Sequence, residues 1–178
     1  MNNVEILKKI EKKVLWLACW IIHNANHIRE NQDGLKVGGH QASSASIVSI
    51  MTALYFNILR PEDRVAVKPH ASPVFHAIQY LSGLQTKEKI ENFRGFGGAQ
   101  SYPSRTKDID DVDISTGSVG LGVAMTSFIS LIQDYVARKK FYKNKPLGRM
   151  IALVGDAELD EGNVYECLQE GWKHDLRN

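Results

Sequence analysis

Asp156 stands out among the residues that could do chemistry, because it follows an apolar run at the point where that run ends in glycine. The segment Ile151–Gly162 reads IALVGDAELDEG, so a predicted buried strand is followed by four acids. Open α/β sheets bind their ligands at the carboxyl ends of the strands. A carboxylate there suits a hard cation such as Mg²⁺, whose usual ligands are one or two carboxylates with phosphate oxygens and water. We therefore expect Asp156 to bind a metal ion.

The other three acids of this segment have a simpler explanation. Glu158, Asp160 and Glu161 precede a predicted helix, and negative charges at a helix start satisfy free amides and complement the helix dipole. We expect these three side chains to cap the helix, and only the side chain of Asp156 to hold a metal ion.

A glycine-rich run, Gly117–Gly122, has the sequence GSVGLG and precedes another predicted helix. Such spacing lets a backbone approach a ligand closely, while amides gather at the helix start, where anions bind. The run differs from the dinucleotide-binding fingerprint, whose first two glycines are one residue apart and whose turn follows a clear strand. Close packing between helices explains the same glycines equally well, so both interpretations stay open.

Two of the six histidines lie on predicted loops, where catalytic residues are more frequent than on the faces of helices. His40 follows a glycine pair, and His70 follows a short strand. His23 and His27 are one helical turn apart, yet no third metal ligand accompanies them. His76 lies inside a predicted helix and is expected to be structural. His40 and His70 are therefore the candidate catalytic histidines.

These groups must be positioned by helices that alternate with short strands. Ser72 as N-cap with Pro73 in the first turn predicts one helix start, and Thr86 predicts another. Residues 95–113 form a loop long enough to suggest a function. Because parallel strands need helical crossovers, we predict an α/β fold with a parallel sheet flanked by helices, in one unit of residues 1–178. The predicted helices are 4–30, 44–59, 72–81, 86–93, 121–142 and 162–173, and the predicted strands are 65–68 and 149–154.

Length and composition exclude several classes of protein. With 178 residues, 43% of them apolar and 24% charged, the chain resembles ordinary soluble globular proteins with one sizeable core. A net charge of +2 is too small to indicate nucleic acid or a membrane surface as partner. No segment reaches the ~20 apolar residues of a membrane span. Cys19 and Cys167 lie in helix-like apolar runs, which favours buried thiols and a reducing cytoplasm.

The first 22 residues must be distinguished from a secretory signal, since a basic segment precedes nine apolar residues. Apolar residues recur every three or four positions from Ile6 to Ile28, through and beyond the zone where a signal would be cleaved. This spacing is typical of an amphipathic helix, and we expect one here.

Four motifs occur in a recognisable order: GGHQASSASIVSIMTALYF, KPHASPVFHA, TGSVGLGVAM and GDAELDEG. With them the chain resembles the amino-terminal, pyrophosphate-binding domain of the transketolase and homodimeric pyruvate dehydrogenase E1 family, whose enzymes depend on thiamine diphosphate. The resemblance spans almost the whole chain. The long leading helix, the segment NFRGFGGAQSYPS and the final residues are more similar to the 2-oxo-acid dehydrogenases than to transketolase.

The resemblance implies specific roles for the segment around Asp156. Asp156 would be a ligand of the Mg²⁺ ion that joins the protein to the diphosphate. The backbone of Gly155, Ala157 and Glu158 would approach the phosphate through N–H groups. His70 would lie against the diphosphate and the reacting centre, and His40 would assist substrate binding or proton transfer. The loop residues that would lie along the rings of the cofactor are Gly117, Ser118, Val119 and Gly120.

The same resemblance implies an activity and partners. In the 2-oxo-acid dehydrogenases the cofactor attacks a 2-oxo acid, carbon dioxide leaves, and the acyl group passes to a lipoyl arm of an acyltransferase. A transketolase, which moves ketol units between sugar phosphates, is the alternative enzyme. A non-catalytic subunit that depends on a partner chain is a further alternative. The family also implies a homodimer or a partner chain, because a second domain supplies the glutamate that activates the pyrimidine ring.

Three departures from the family pattern are present. Ala157 replaces a glycine, which would strain any backbone that needs a positive φ angle. Pro69 replaces the glycine that commonly precedes the second histidine. Asparagine-type metal ligands are expected about 25–30 residues beyond the Gly-Asp pair, and the sequence ends at Asn178. We therefore expect this chain to supply one side of the site.

Overall fold

A computed structural model describes residues 2–30, 34–141 and 146–178. The chain divides into two compact units: unit 1 comprises Met1–Leu59 and Pro69–Val112, and unit 2 comprises Arg60–Lys68 and Asp113–Asn178. Helices accompany a small parallel sheet, which confirms the predicted α/β class. None of the described helices has both the length and the apolar character needed to cross a membrane.

Unit 1 is helical, and its core lies between its first helix, α1 (Asn3–His23), and α4 (Ser72–Leu81). Apolar side chains three or four residues apart on α1 are fully buried, as the amphipathic pattern predicts. Each large apolar side chain buried in this way contributes about 1.5–3 kcal/mol. The remaining elements are a π-helical turn Asn24–Ile28, α2 (Gln41–Ala45), α3 (Val48–Ala53), a second π-helical turn Leu54–Ile58, a 3₁₀ turn Pro69–Ala71 and α5 (Lys87–Glu91).

The predicted helix 44–59 is wrong as a single element. The chain turns at Ser46 and Ile47, between α2 and α3. The hydroxyl of Ser46 donates to the carbonyl of Ser43 at 2.9 Å, and serine side chains that bond to nearby backbone compete with continued helix. The interruption is therefore a local effect of the serine-rich sequence.

Of the two predicted cap residues, Thr86 is confirmed and Ser72 is wrong. Thr86 caps α5 as predicted, and its Oγ1 accepts a hydrogen bond from the amide of Lys89 at 3.3 Å. Ser72 is not an N-cap: the cap position belongs to Ala71, which makes no side-chain cap bond. The 3₁₀ turn Pro69–Ala71 leads directly into α4, so its last residue takes the cap position. The hydroxyl of Ser72 is instead buried and has no partner among the described residues.

The long loop of residues 95–113 contains no helix or strand, as predicted, and is tied to α4 by His76. The Nδ1 atom of His76 lies 2.7 Å from Asp110, and its Nε2 atom lies 2.8 Å from the carbonyl of Gln100. Asp108 accepts hydrogen bonds from the amides of Gln100 and Ser104, while burial raises its pKa. His76, Asp108 and Asp110 are near enough to share a metal ion. These bonds engage all three residues and leave only Oδ1 of Asp110 without a partner among the described residues, so we interpret the cluster as structural.

Unit 2 contains the sheet, formed by β1 (Arg64–Ala66) and β2 (Met150–Ala152) in parallel register. Both strands are shorter than predicted: the amide of Leu153 still donates to Ala66, and regular pairing ends there. Two helices, α6 (Leu121–Arg138) and α7 (Gly162–Lys173), complete the unit with a 3₁₀ turn Asp156–Asp160. α7 has its predicted bounds. The predicted end of α6 at Tyr142 lies outside the described residues, and the helix ends at Arg138.

Helix α6 packs against both strands and α7, yet one of its faces stays exposed. The large apolar side chains on that face are three or four positions apart along the helix, which places them in one stripe. Exposed apolar patches of this kind mark interaction surfaces. The stripe consists of Leu121, Met125, Phe128, Ile132 and Tyr135.

Asp63 joins the start of β1 to the start of β2 within unit 2. Its side chain is 1% exposed and accepts hydrogen bonds from the amides of Arg60 and Arg149, at 3.0 and 2.8 Å, and from the guanidinium of Arg149. These bonds, the guanidinium first, hold the pKa of Asp63 well below its usual range despite burial.

Candidate functional site

The two candidate catalytic histidines share a pocket in unit 1. His40 and His70 are both exposed and line a cavity of about 190 Å³. His40 occupies the cap position of α2, and His70 lies in the 3₁₀ turn that leads to α4. The hydroxyl of Ser44 donates to the carbonyl of His70 at 3.1 Å, so α2 and this turn are bonded together. Pro69 begins the turn without distortion, because a fixed negative φ suits a 3₁₀ helix.

Arg94 and Tyr102 line the same pocket, and sequence analysis gave neither a role. Burial lowers the pKa of the Arg94 guanidinium, and Tyr102 opposes that shift. Among the residues that the structure describes, no carboxylate lines the cavity. A half-buried cation, two imidazoles and a phenol therefore face a small space that suits an anionic group. The segment NFRGFGGAQSYPS contains both residues, but its pattern alone does not show that they meet.

The glycine-rich run Gly117–Gly122 precedes α6 in unit 2. Gly120 has a φ of +76°, and a Cβ atom on it would lie 2.4 Å from Oδ1 of Asn163. Gly122 faces β1, where an added Cβ would touch Ala66 at 3.4 Å. The two glycines thus serve different purposes, since Gly120 makes a left-handed turn and Gly122 permits close packing. Ser118 and Val119 are exposed at the start of the helix.

Glu158 connects the two glycine motifs of unit 2. Its carboxylate accepts hydrogen bonds from the amide of Gly155 at 2.5 Å and from the amide of Gly120 at 3.3 Å. The predicted role of Glu158, Asp160 and Glu161 as side-chain caps of α7 is wrong, because α7 begins without a side-chain cap bond. The amide of Glu158, expected to approach a phosphate, donates to the carbonyl of Gly155 in the 3₁₀ turn.

Asp156 lies just beyond β2, at the carboxyl edge of the sheet, and is exposed. Its carboxylate has no hydrogen-bond or ion-pair partner within the described ranges, unlike the carboxylate of Glu158. Ala157 has no positive φ, so the expected strain at this position is absent. The Nζ atom of Lys68 lies 3.6 Å from where a Cβ of Gly155 would stand. An unengaged carboxylate near an amine has the chemistry of a site for a hard cation bound to an anion.

Replacing Gly120 by alanine is expected to lower the free energy of unfolding by about 1–3 kcal/mol, because the new side chain requires a left-handed backbone and collides with Asn163. Gly162→Ala is the matched control. Gly162 starts α7 with no atom within 4 Å of its added Cβ, so the change should be neutral or slightly stabilising. Urea denaturation of both variants measures the difference, and equal stabilities would contradict the geometry at Gly120.

Comparison with known proteins identifies a family for this chain. Residues 37–176 match the family described as "Transketolase, thiamine diphosphate binding domain". The pyruvate dehydrogenase E1 component of Escherichia coli K12 is 27% identical over 186 residues, which cover 99% of this chain and 20% of that protein. The E1 component of Mycolicibacterium smegmatis is 26% identical over 188 residues, with 99% and 20% covered. Transketolase-like protein 2 of Mus musculus is 29% identical over 151 residues, with 79% and 23% covered. The chain spans about a fifth of the length of these relatives.

Proposed function

Because the chain belongs to the family of transketolase thiamine diphosphate-binding domains, we propose that residues 1–178 form the amino-terminal part of such a domain in a Mg²⁺-dependent 2-oxo-acid dehydrogenase E1 component. The observation that carries this proposal is the extent of the similarity. The E1 relatives align with 99% of the chain, which includes α1, whereas the transketolase-like relative aligns with 79%. The family match itself starts at residue 37, beyond α1.

The residues of unit 2 fit the role of cofactor ligands. Asp156 would hold Mg²⁺, since its exposed carboxylate is free of partners within the described ranges, and the amide of Ala157 would face a phosphate oxygen. Glu158 fixes the turn by binding the amides of Gly120 and Gly155. The exposed backbone of Ser118 and its neighbours would lie along the cofactor rings. When bound, thiamine diphosphate supplies the nucleophilic carbon and the electron sink for decarboxylation.

The pocket of unit 1 fits the role of a substrate and proton-transfer region. A neutral imidazole of His40 or His70 can accept a proton at one ring nitrogen and donate one from the other. The guanidinium of Arg94 favours an anionic group in the cavity, because none of the described residues that line it carries a carboxylate. A 2-oxo acid carries such a group, and so does a sugar phosphate.

The proposal includes association of this chain with other protein segments or subunits. The relatives are about five times longer than this chain, and the stripe on α6 exposes large apolar side chains. Both observations support association with the remainder of a longer protein, with a second copy in a homodimer, or with a partner chain that carries the pyrimidine-binding domain. A lipoyl acyltransferase would accept the acyl group.

The test compares two reactions of the full-length protein with Mg²⁺ and thiamine diphosphate. Decarboxylation of pyruvate and 2-oxobutyrate is followed with an artificial electron acceptor, and ketol transfer is followed with sugar phosphates. We expect decarboxylation to exceed ketol transfer by orders of magnitude. Ketol transfer without decarboxylation would establish the transketolase alternative, which the 29% identity with the mouse relative favours. Cofactor binding with neither reaction would favour a non-catalytic subunit.

A further inference from the structure

The three residues that precede His40 are each held by a side chain from elsewhere in unit 1. Asn26 accepts a hydrogen bond from the amide of Gly38 at 2.6 Å and donates to the carbonyl of Gly39 at 3.5 Å. The Nη1 atom of Arg94 donates to the carbonyl of Val37 at 2.5 Å. These residues belong to no helix or strand, so the side chains take the place of backbone pairing. The route of the chain into His40 therefore depends on Asn26 and Arg94.

Both glycines of this segment disfavour a larger residue, Gly38 for lack of space and Gly39 because of its backbone conformation. A Cβ atom on Gly38 would lie 2.5 Å from the carbonyl oxygen of Ile22 and 2.9 Å from Oδ1 of Asn26. Gly39 has a φ of +88°, and its Cβ would lie 3.2 Å from Nη2 of Arg94. The glycine pair thus lets the backbone contact the end of α1 on one side and the guanidinium on the other.

The two residues whose side chains hold the segment, Asn26 and Arg94, both have unusual backbone conformations. Asn26 lies in the π-helical turn Asn24–Ile28, and π-helical turns often occur at functional sites. Arg94 has a φ of +62°, which is uncommon outside glycine and persists only where the surroundings enforce it. The amide of Arg94 donates to the carbonyl of Ala99 at 2.9 Å, which helps to enforce it. Two separate parts of the chain adopt disfavoured conformations and bind the same three residues.

We infer that Asn26 and Arg94 form a clamp on Val37–Gly39 that sets the orientation of His40 in the pocket it shares with His70. They are positioning residues, because they act through the backbone that leads into His40. The bond from Arg94 is charge-assisted and directional. A lysine would keep the charge but lose the planar geometry of the guanidinium. The inference rests on the proposed function in one respect: that function gives His40 its role in the pocket.

The test compares the NMR chemical shifts of the histidine ring C–H signals in the full chain without cofactor, with His40 assigned through His40→Gln. Asn26→Ala and Arg94→Ala are expected to displace the His40 signal, and Arg94→Lys is expected to recover part of the change. Asn24→Ala is the matched control for Asn26→Ala, since Asn24 lies in the same turn but donates to Glu91 at 2.7 Å.

A second control separates the clamp from a general loss of stability. Arg29→Ala removes a guanidinium that donates to the carbonyl of Phe93 at 2.7 Å and leaves the bond to Val37 in place. All variants are compared by urea denaturation, and the His40 signal should follow the clamp bonds rather than stability. An unchanged His40 signal in both clamp variants would overturn the inference, as would an equal displacement in the controls. Failure of cofactor binding would count against the proposed function and leave this result intact.

Discussion

Asp156→Asn is expected to weaken the binding of Mg²⁺ and thiamine diphosphate to the full-length protein at least about a hundredfold. Asparagine keeps the size of the side chain but removes the negative charge that a hard cation prefers. Loss of supporting partners around metal ligands costs about 10–100-fold in affinity, and loss of a ligand should cost no less. Isothermal titration calorimetry with both ligands present measures the effect.

Asp160→Asn is the matched control for this prediction. Asp160 is also exposed and ends the same 3₁₀ turn that Asp156 begins, so both variants change the net charge equally and in nearly the same place. We expect Asp160→Asn to bind both ligands like the unchanged protein. Unimpaired binding by Asp156→Asn would exclude Asp156 from the site. Equal loss in both variants would mean that the effect is one of overall charge.

Asp63→Ala is expected to lower the free energy of unfolding by about 2–3 kcal/mol at neutral pH. The substitution leaves the amides of Arg60 and Arg149 without their acceptor, and hydrogen bonds to a charged group contribute about 1.5–3 kcal/mol. Because the side chain of Arg149 is 39% exposed, water can solvate it after the change, so the loss stays below that of a fully buried pair. Urea denaturation measures it. Asp175→Asn, which breaks an exposed pair with Arg177, should have no measurable effect.

The contribution of Asp63 should also depend on pH. Its pKa in the folded protein lies below the ordinary value of 3.8, so the folded state releases the proton more readily than the unfolded state. The stabilisation is therefore complete above pH values near the ordinary pKa, and it is lost as the pH falls below that value. The difference between the unchanged protein and Asp63→Ala should shrink in that acid range. A difference that stays constant down to pH 2 would show that the carboxylate is not held by these bonds.

The sequence predicted most successfully the elements whose signals are local. The bounds of α7 follow from apolar spacing, and α5 follows from the cap residue Thr86, because both signals lie within a few residues of the element. The sequence also indicated His40 and His70 as candidates, because both lie on loops within motifs that occur in a known order, but it did not show that they line one pocket. The α/β class followed from the alternation of helices and short strands.

The remaining features depend on contacts between distant residues, and sequence spacing could not show them. Glu158 was expected to cap α7, but its carboxylate reaches the amide of Gly120, which is 38 positions away. Serine is a residue type that favours the cap position, yet Ala71, at the end of the preceding 3₁₀ turn, occupies the cap position instead of Ser72. Arginine is not a residue type that favours positive φ, so the backbone conformation of Arg94 follows from tertiary structure alone.

The π-helical turn Asn24–Ile28 restricts how this region can change during evolution. A π-helical turn holds one residue more than an α-helical turn, and each residue of an α-helix turns the chain by about 100°. Deleting one position would restore regular helix and rotate Asn26 away from the glycine pair. We therefore expect a deletion in this turn to displace Asn26 from Gly38 and Gly39, whereas exchange of an exposed side chain such as His27 should leave these contacts in place.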